Sequence, residues 1–460
     1  MMPRRAILAA PSILGVALVL GSYIQTAGHP SEMLRPLVVI ALAALAVTLF
    51  AWALVRRMLA AVWVGLVVVS WILGRELAWL PIGVGLAVIA TERLRQMRGR
   101  SPLPVPAAMV LGPPLALCGV AMYQLMAVGV IAPDDFKIGG PPRVQAASTR
   151  ELPSLYVLLL DGYPRADELG AEFGYDNSRF LSQLERLGFR LPADATSSFG
   201  GTSWTLASTM LEDSTELHPY ADIDSTPDLW ATLRDLRRRY LVDVPMMDRL
   251  REAGYRLDYT DAGVDLSAWR GWDRTHDSGQ VSDTEALLIQ RSPIAGLLAG
   301  WVMDQLRARV DDSLNSWVVT SGDASQKVSF AHIMPPHAPF LWGEGGTSLK
   351  PGECWFRRVC SLYTVIAADL GMTREQYGNQ LGWQLDALNA KVIMAVKRVV
   401  TADPHAAVIV MSDHGSRFEP FSVERLHTFL AARIPHEPDL LAVDPGPDAL
   451  FVRLLESVSP

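Results

Sequence analysis

A chain of 460 residues, 50% of them hydrophobic, has room for two or three domains. Its net charge of −7 argues against a nucleic-acid partner, which would select a basic surface. The apolar excess is concentrated before residue 130, so the composition divides the chain into a membrane part and a water-soluble part.

Five apolar segments fill the N-terminal region, at about 6–24, 36–55, 58–73, 77–90 and 105–128. The third and fourth are short for a bilayer crossing of about 20 residues, and Gly74-Arg75-Glu76 between them reads as a tight hairpin. A signal peptide after Arg4 and Arg5 is the alternative for the first segment, but further apolar segments follow and no small-residue cleavage site stands out. The positive-inside rule favours five spans. Arg4/Arg5, Arg56/Arg57 and Arg93/Arg95/Arg98/Arg100 then all face the cytoplasm, and only Arg35 and Arg75 lie outside. Four spans would move the arginines of "TERLRQMRGR" to the outer side. The expectation is a membrane domain over 1–130, a Pro/Gly-rich linker over 131–153, and an extracytoplasmic domain over 154–460.

Beyond the linker, apolar runs of strand length appear at 155–160, 328–333 and 408–411, with weaker ones at 256–259 and 429–434. Helix-like stretches such as 377–400 lie between them. Strands that are apolar on both faces and separated by helices imply a largely parallel sheet covered on both sides, an α/β fold. Such sheets take ligands beyond the carboxyl ends of their strands. Three of these runs deliver chemistry there. "LYVLLLDGY" ends on Asp161, "VSFAHIMPPH" places His332 and His337 at and beyond its end, and "AVIVMSDHG" ends on Asp413 and His414. Each residue alone has a bland reading as a turn former, helix cap or satisfied polar group. Three together at one edge point to a divalent cation.

A reaction there also needs a nucleophile or an activated water. In "ATSSFGGTSWTLASTMLED", Thr202 follows Gly200-Gly201 and precedes a helix-like run, where free N–H groups and the helix dipole favour a phosphoryl group. An N-cap role for Thr202 or Ser203 is the competing reading of that segment. Arg417 and Arg165 follow the acidic motifs, and each could hold a phosphate bidentately or be an ordinary surface arginine. Of the three cysteines, Cys118 lies in an apolar segment, while Cys354 and Cys360 flank "WFRRV" in the extracytoplasmic region and are expected to form a local disulfide.

The succession "LLLDGY", "FGGTSWTLAS", "AHIMPPHAPF" and "VIVMSDHGSR" resembles the alkaline phosphatase superfamily. It is most similar to the membrane-anchored, sulfatase-like branch that includes lipoteichoic acid synthases and phosphoethanolamine transferases. The resemblance covers most of 150–435 and implies five membrane helices with an extracytoplasmic catalytic domain at a bacterial-type plasma membrane. It implies that Asp161, Thr202, Asp413 and His414 hold one divalent metal, Zn or Mn, and that Thr202 is the covalent nucleophile. His337, with His332 and Arg417, would face the substrate, and His427 matches a later family histidine whose structural reading is preferred. Asp161-Gly162 stands where two-metal relatives carry paired acids, which counts against a second metal. No C/S-x-P-x-R sequence for formylglycine lies near Thr202, so phosphoryl chemistry is favoured over sulfuric ester hydrolysis. The implied substrates are a lipid-linked phospho-donor and a glycan or lipid acceptor. The competing class is a non-catalytic membrane assembly factor.

Overall fold

A computed structural model describes residues 8–26, 30–55, 153–211, 244–260, 272–276, 280–291, 295–319, 326–350, 372–416 and 423–435, with a few single positions besides. In chain order its elements are α1 (Ala10–Thr26), α2 (Pro30–Val55), β1 (Leu155–Leu160), α3 (Ala166–Phe173), α4 (Ser178–Arg186), α5 (Thr202–Leu211), α6 (Pro245–Glu252), β2 (Arg256–Thr260), β3 (Arg274–His276), α7 (Asp283–Arg291), α8 (Ala295–Val319), β4 (Lys327–Ile333), α9 (Arg374–Ala402), β5 (Ala407–Met411) and β6 (Leu430–Arg433).

The chain forms two compact units. One comprises Met1–Phe136 with Ser282–Leu298, the other Lys137–Val281 with Ala299–Pro460. In the first, α1 and α2 pack through Val19 and Ala44, and Leu288 of α7 completes the cluster. Ser12 Oγ donates to Ala41 O at 2.9 Å. Arg35 of α2 pairs with Glu285 of α7, whose carboxylate also accepts from Ser282 N at 3.0 Å. A stretch from the middle of the expected catalytic region thus groups with the N-terminal helices. Among the described residues no helix is long and apolar enough to cross a membrane. The segments 58–73, 77–90 and most of 105–128, the linker over 131–152, and Cys354, Cys360 and Arg417 all lie outside them.

The second unit is built on one six-stranded sheet in the order β3-β2-β4-β1-β5-β6. Every pairing is parallel except β5 with β6. β1, β2, β4 and β5 are buried along their whole length, as expected for strands covered on both faces. The weak run at 256–259 is a full member of the sheet, and the run at 429–434 is its antiparallel edge. α9 opens on a capping box between Thr373 and Gln376 and buries Leu381, Leu385, Leu388, Val392, Val396 and Val399 at helical spacing.

Register decides what meets at the carboxyl edge. Leu160 of β1 lies opposite Ile333 of β4, and Leu159 lies opposite both His332 of β4 and Met411 of β5. The residues that follow β1 and β5 therefore emerge side by side.

Candidate metal centre

Asp161 takes the first position after β1, and its N–H still bonds Ile333 O at 3.0 Å, so its carboxyl group is held by the sheet. Gly162 then turns the chain at φ +67°, a left-handed conformation that a side chain would strain. A Cβ there would also stand 3.0 Å from the His414 ring. Gly162 N donates to Asp413 Oδ1 at 3.0 Å, which fixes the second carboxylate against the first turn. After β5, Ser412 acts as a staple: its hydroxyl accepts from Tyr163 N at 2.7 Å and donates to His414 O at 2.6 Å.

The side chains of Asp161, Asp413 and His414 are almost entirely buried. His414 Nδ1 lies 2.7 Å from Gly415 O. A carbonyl only accepts, so Nδ1 carries the proton and the Nε2 lone pair points the other way. Among the described residues, Asp161 Oδ1, Asp413 Oδ2 and His414 Nε2 are buried atoms with no hydrogen-bond partner. They face one another. His414 Nε2 is 3.4 Å from Asp161 Oδ1 and 3.6 Å from Asp413 Oδ2. Leaving one such group unsatisfied costs about 1–3 kcal/mol, and more when it is charged. Ligands about 2.1 Å from a tetrahedral ion stand about 3.4 Å apart, so three orphaned atoms at this spacing fit a divalent cation. These three residues could hold a metal ion.

The remaining oxygen of Asp161 is occupied differently. His332, fully buried on β4, lies with Nε2 3.1 Å from Asp161 Oδ2. Thr202 Oγ1 approaches the same oxygen at 3.4 Å. Burial alone would raise the Asp161 carboxyl, yet the hydrogen bond from His332, with the charge of His337 beside it, holds it well below the usual carboxylate range. The carboxylate is ionised and its two oxygens divide their work: Oδ2 is anchored and Oδ1 is presented.

Thr202 is the first residue of α5 and is buried. Two contacts set where that helix begins. Thr205 Oγ1 donates to Asp413 O at 2.9 Å, tying the first turn to the strand end. Arg425 donates to Gly200 O and packs on Gly200, where a Cβ would lie 3.3 Å from Arg425 Nε. Gly415 is equally constrained, since a Cβ there would fall 2.3 Å from Glu424 O and 2.6 Å from His427 O.

The structure therefore brings together Asp161, Thr202, His332, Asp413 and His414. His337 stands beside them: its N–H donates to Asp161 O at 3.1 Å, its Nδ1 donates to Ala338 O at 2.8 Å, and its ring centroid is 6.2 Å from that of His414. Arg165 is engaged elsewhere, bonding Asp167 with both Nε at 2.7 Å and Nη2 at 2.8 Å. His427 Nδ1 pairs with Glu168 at 2.5 Å, in a separate group with Glu172 and Glu424. Ser412 and Gly415 open and close the "SDHG" motif without being singled out by the sequence reading, and Arg425 has no functional signature in the sequence.

No protein family and no curated protein matches this chain. Solved structures do. The periplasmic domain of the Escherichia coli protein EptC in complex with Zn is 13% identical, with a TM-score of 0.41 over 68% of this chain and 84% of that one. The integral membrane lipooligosaccharide phosphoethanolamine transferase A of Neisseria meningitidis is 14% identical, with a TM-score of 0.40 over 100% of this chain and 81% of its own. The phosphonate monoester hydrolase of Agrobacterium radiobacter is 13% identical, with a TM-score of 0.44 over 67% of this chain and 74% of its own. The chemistry below rests on this chain's own residues.

Proposed function

We propose that this protein is a membrane-anchored, metal-dependent phospho-group transferase or phosphoester hydrolase that works through Thr202. One observation carries the reading: three buried, partnerless ligand atoms, on Asp161, Asp413 and His414, converge within reach of a threonine hydroxyl at a helix start. The donor set of two carboxylates, one imidazole and one hydroxyl suits Zn or Mn. A bound divalent ion would lower the pKa of the Thr202 hydroxyl and neutralise charge on the attacked phosphoryl group.

The chain's own residues supply the rest. His332 donates a hydrogen bond to Asp161 Oδ2 and keeps Oδ1 turned toward the cluster. The N-terminus of α5 offers backbone N–H groups to phosphoryl oxygens. His337, beside His414, faces the transferred group, and Arg417 is assigned to the same substrate. Thr202 Oγ forms a bond to phosphorus as the bond to the departing alcohol breaks, and the threonine proton leaves with that alcohol. An acceptor hydroxyl or water then attacks phosphorus, the Oγ–P bond breaks, and Thr202 regains a proton from the acceptor. Burial of the cluster limits water at the first step.

The N-terminal apolar segments and their arginine pattern support a plasma-membrane location with the catalytic unit outside. That placement suits a lipid-linked donor and a glycan or lipid acceptor. The test is intact-mass analysis of the full chain after incubation with membrane lipids and metal. A phospho-adduct that maps to Thr202 and vanishes in Thr202→Ala is expected, and its mass names the transferred group. Absence of any adduct, together with unchanged turnover in Thr202→Ala, would remove the covalent mechanism.

A further inference from the structure

Ser282–Leu298 lies within the expected catalytic region, yet it belongs to the N-terminal unit. Its first turn is a capping box: Ser282 Oγ accepts from Glu285 N at 3.3 Å, and the Glu285 carboxylate accepts from Ser282 N at 3.0 Å. The same carboxylate takes both Nε and Nη2 of Arg35. Arg35 directly precedes the apolar run at 36–55, and the arginine pattern puts it on the outer side of the membrane. On that topology α7 starts at the outer boundary of the apolar layer and packs inward. Leu288, one turn past Glu285, joins Val19 of α1 and Ala44 of α2, with Leu37 and Ile40 against the same cluster. Ala44 lies about 13 Å along α2 from Arg35.

α8 then presents an apolar, exposed face. It begins at Ala295, soon after Arg291 ends α7, so its start stays within about 14 Å of that end. Leu297 is 84% exposed, and Trp301, one turn on, is 47% exposed. At i and i+4 they share one side of the helix. The helix turns polar where Asp304 pairs with Arg307. α2 carries an exposed apolar row of its own in Leu34, Val38, Leu42 and Leu49. Leucine and tryptophan on one face, tied to an apolar layer at its outer boundary, are the side chains that an interfacial helix buries among acyl chains and headgroups.

We infer that the start of α8, through Leu297 and Trp301, is a lipid-contacting element that rests in the outer leaflet. The inference rests on the membrane location in the proposed function and adds to it a lipid-binding surface outside the apolar spans. The Arg35–Glu285 pair and Leu288 set its depth, and the Asp304–Arg307 pair marks the headgroup level. A membrane-resident start holds the rest of α8, through Val319, close to the leaflet that a lipid-linked donor occupies.

The experiment places a photo-crosslinking benzophenone amino acid at one position at a time in the full chain, reconstituted in vesicles of phosphatidylethanolamine and phosphatidylglycerol. Intact mass after illumination identifies the neighbour. At Leu297 the expected adduct has the mass of one phospholipid. The same probe at Asp304 should give about a tenth of that yield or less, since two helical turns carry it about 10 Å along α8, beyond the acyl boundary. At Leu42, on the exposed row of α2, a lipid adduct is expected whatever α8 does. Leu297 is mostly exposed, so the substitution leaves the fold intact, which circular dichroism checks. A Leu297 probe that joins two chains assigns the face to a second copy and overturns the inference. So does a Leu297 probe that gives no adduct while Leu42 does. Equal lipid yields at Leu297 and Asp304 also overturn it, because the contact then has no defined depth. Loss of the adduct at Leu42 and Leu297 together removes the membrane location itself, and the inference with it. No outcome at Leu297 alone touches the reaction proposed at Thr202.

Discussion

Among the described residues of the second unit, two acidic groupings differ in what their oxygens already have. Glu168, Glu172 and Glu424 are half-buried; Glu168 bonds the His427 ring, and Glu172 pairs with Arg374. Asp161, Asp413 and His414 are fully buried, and each keeps one ligand atom without a hydrogen bond. The first group gains little from a metal, because the His427 ring and the Arg374 guanidinium already engage it. The second carries a desolvation cost that a divalent ion would offset. Acidity alone does not mark a site. Burial with unmet bonding does.

The largest expected effect concerns Thr202, whose hydroxyl belongs to the buried group only. Thr202→Ala should lower turnover by about 10³-fold or more while the fold stays intact by circular dichroism. Ser203→Ala should not, because adjacent residues at a helix start do not share a face. Near-normal turnover in Thr202→Ala would show that the nucleophile lies elsewhere.

The comparison sharpens most directly with Asp413→Asn. Metal affinity measured by competition with a chelator should fall by more than the about 10–100-fold that loss of an outer-shell partner costs. The metal-free variant should melt no lower than metal-free wild type, since a buried carboxylate oxygen that lacks a hydrogen bond has been removed. Wild type should lose melting temperature on chelation, and Asp413→Asn should barely respond. An unchanged chelator response would end the metal reading.

Gly415→Ala tests the wall between the two groups. Its new Cβ would collide with the carbonyls of Glu424 and His427, and backbone cannot step aside cheaply. A loss of about 3 kcal/mol by denaturant unfolding is expected. A loss under about 0.5 kcal/mol would mean that this segment yields freely.

The smallest effect belongs to the outer acids. Glu168→Gln removes the charge opposite His427 and should cost about 1 kcal/mol or less, with metal stoichiometry and affinity unchanged. A drop in either would make the outer group a ligand set and erase the contrast.

Much of the buried site was legible before any fold was seen. Uninterrupted aliphatic runs such as "LYVLLL" and "AVIVM" can only be strands covered on both faces, and the polar residues that end them are obliged to sit at the sheet's carboxyl edge. Asp161, Asp413 and His414 could therefore be named together from spacing and chemistry. The start of α5 at Thr202 followed from the glycine pair. The weak run at 256–259 was readable as a strand, but the three-residue β3 was not, because Arg274, Thr275 and His276 carry no periodic signal.

Tertiary structure alone decided the rest. The register of β1 between β4 and β5 put His332 against Asp161, and no linear pattern encodes which rung faces which. Which oxygen of each carboxylate is taken and which is left depends on hydrogen bonds spanning 171 residues from Asp161 to His332 and 251 from Gly162 to Asp413. The burial of Arg309 beside His332 depends on how α8 packs over β4. Sequence determines which groups are available and at which strand ends they must emerge, because local periodicity fixes burial along each element. Whether a given atom finds a partner is a property of distances between elements, and only the folded chain sets those.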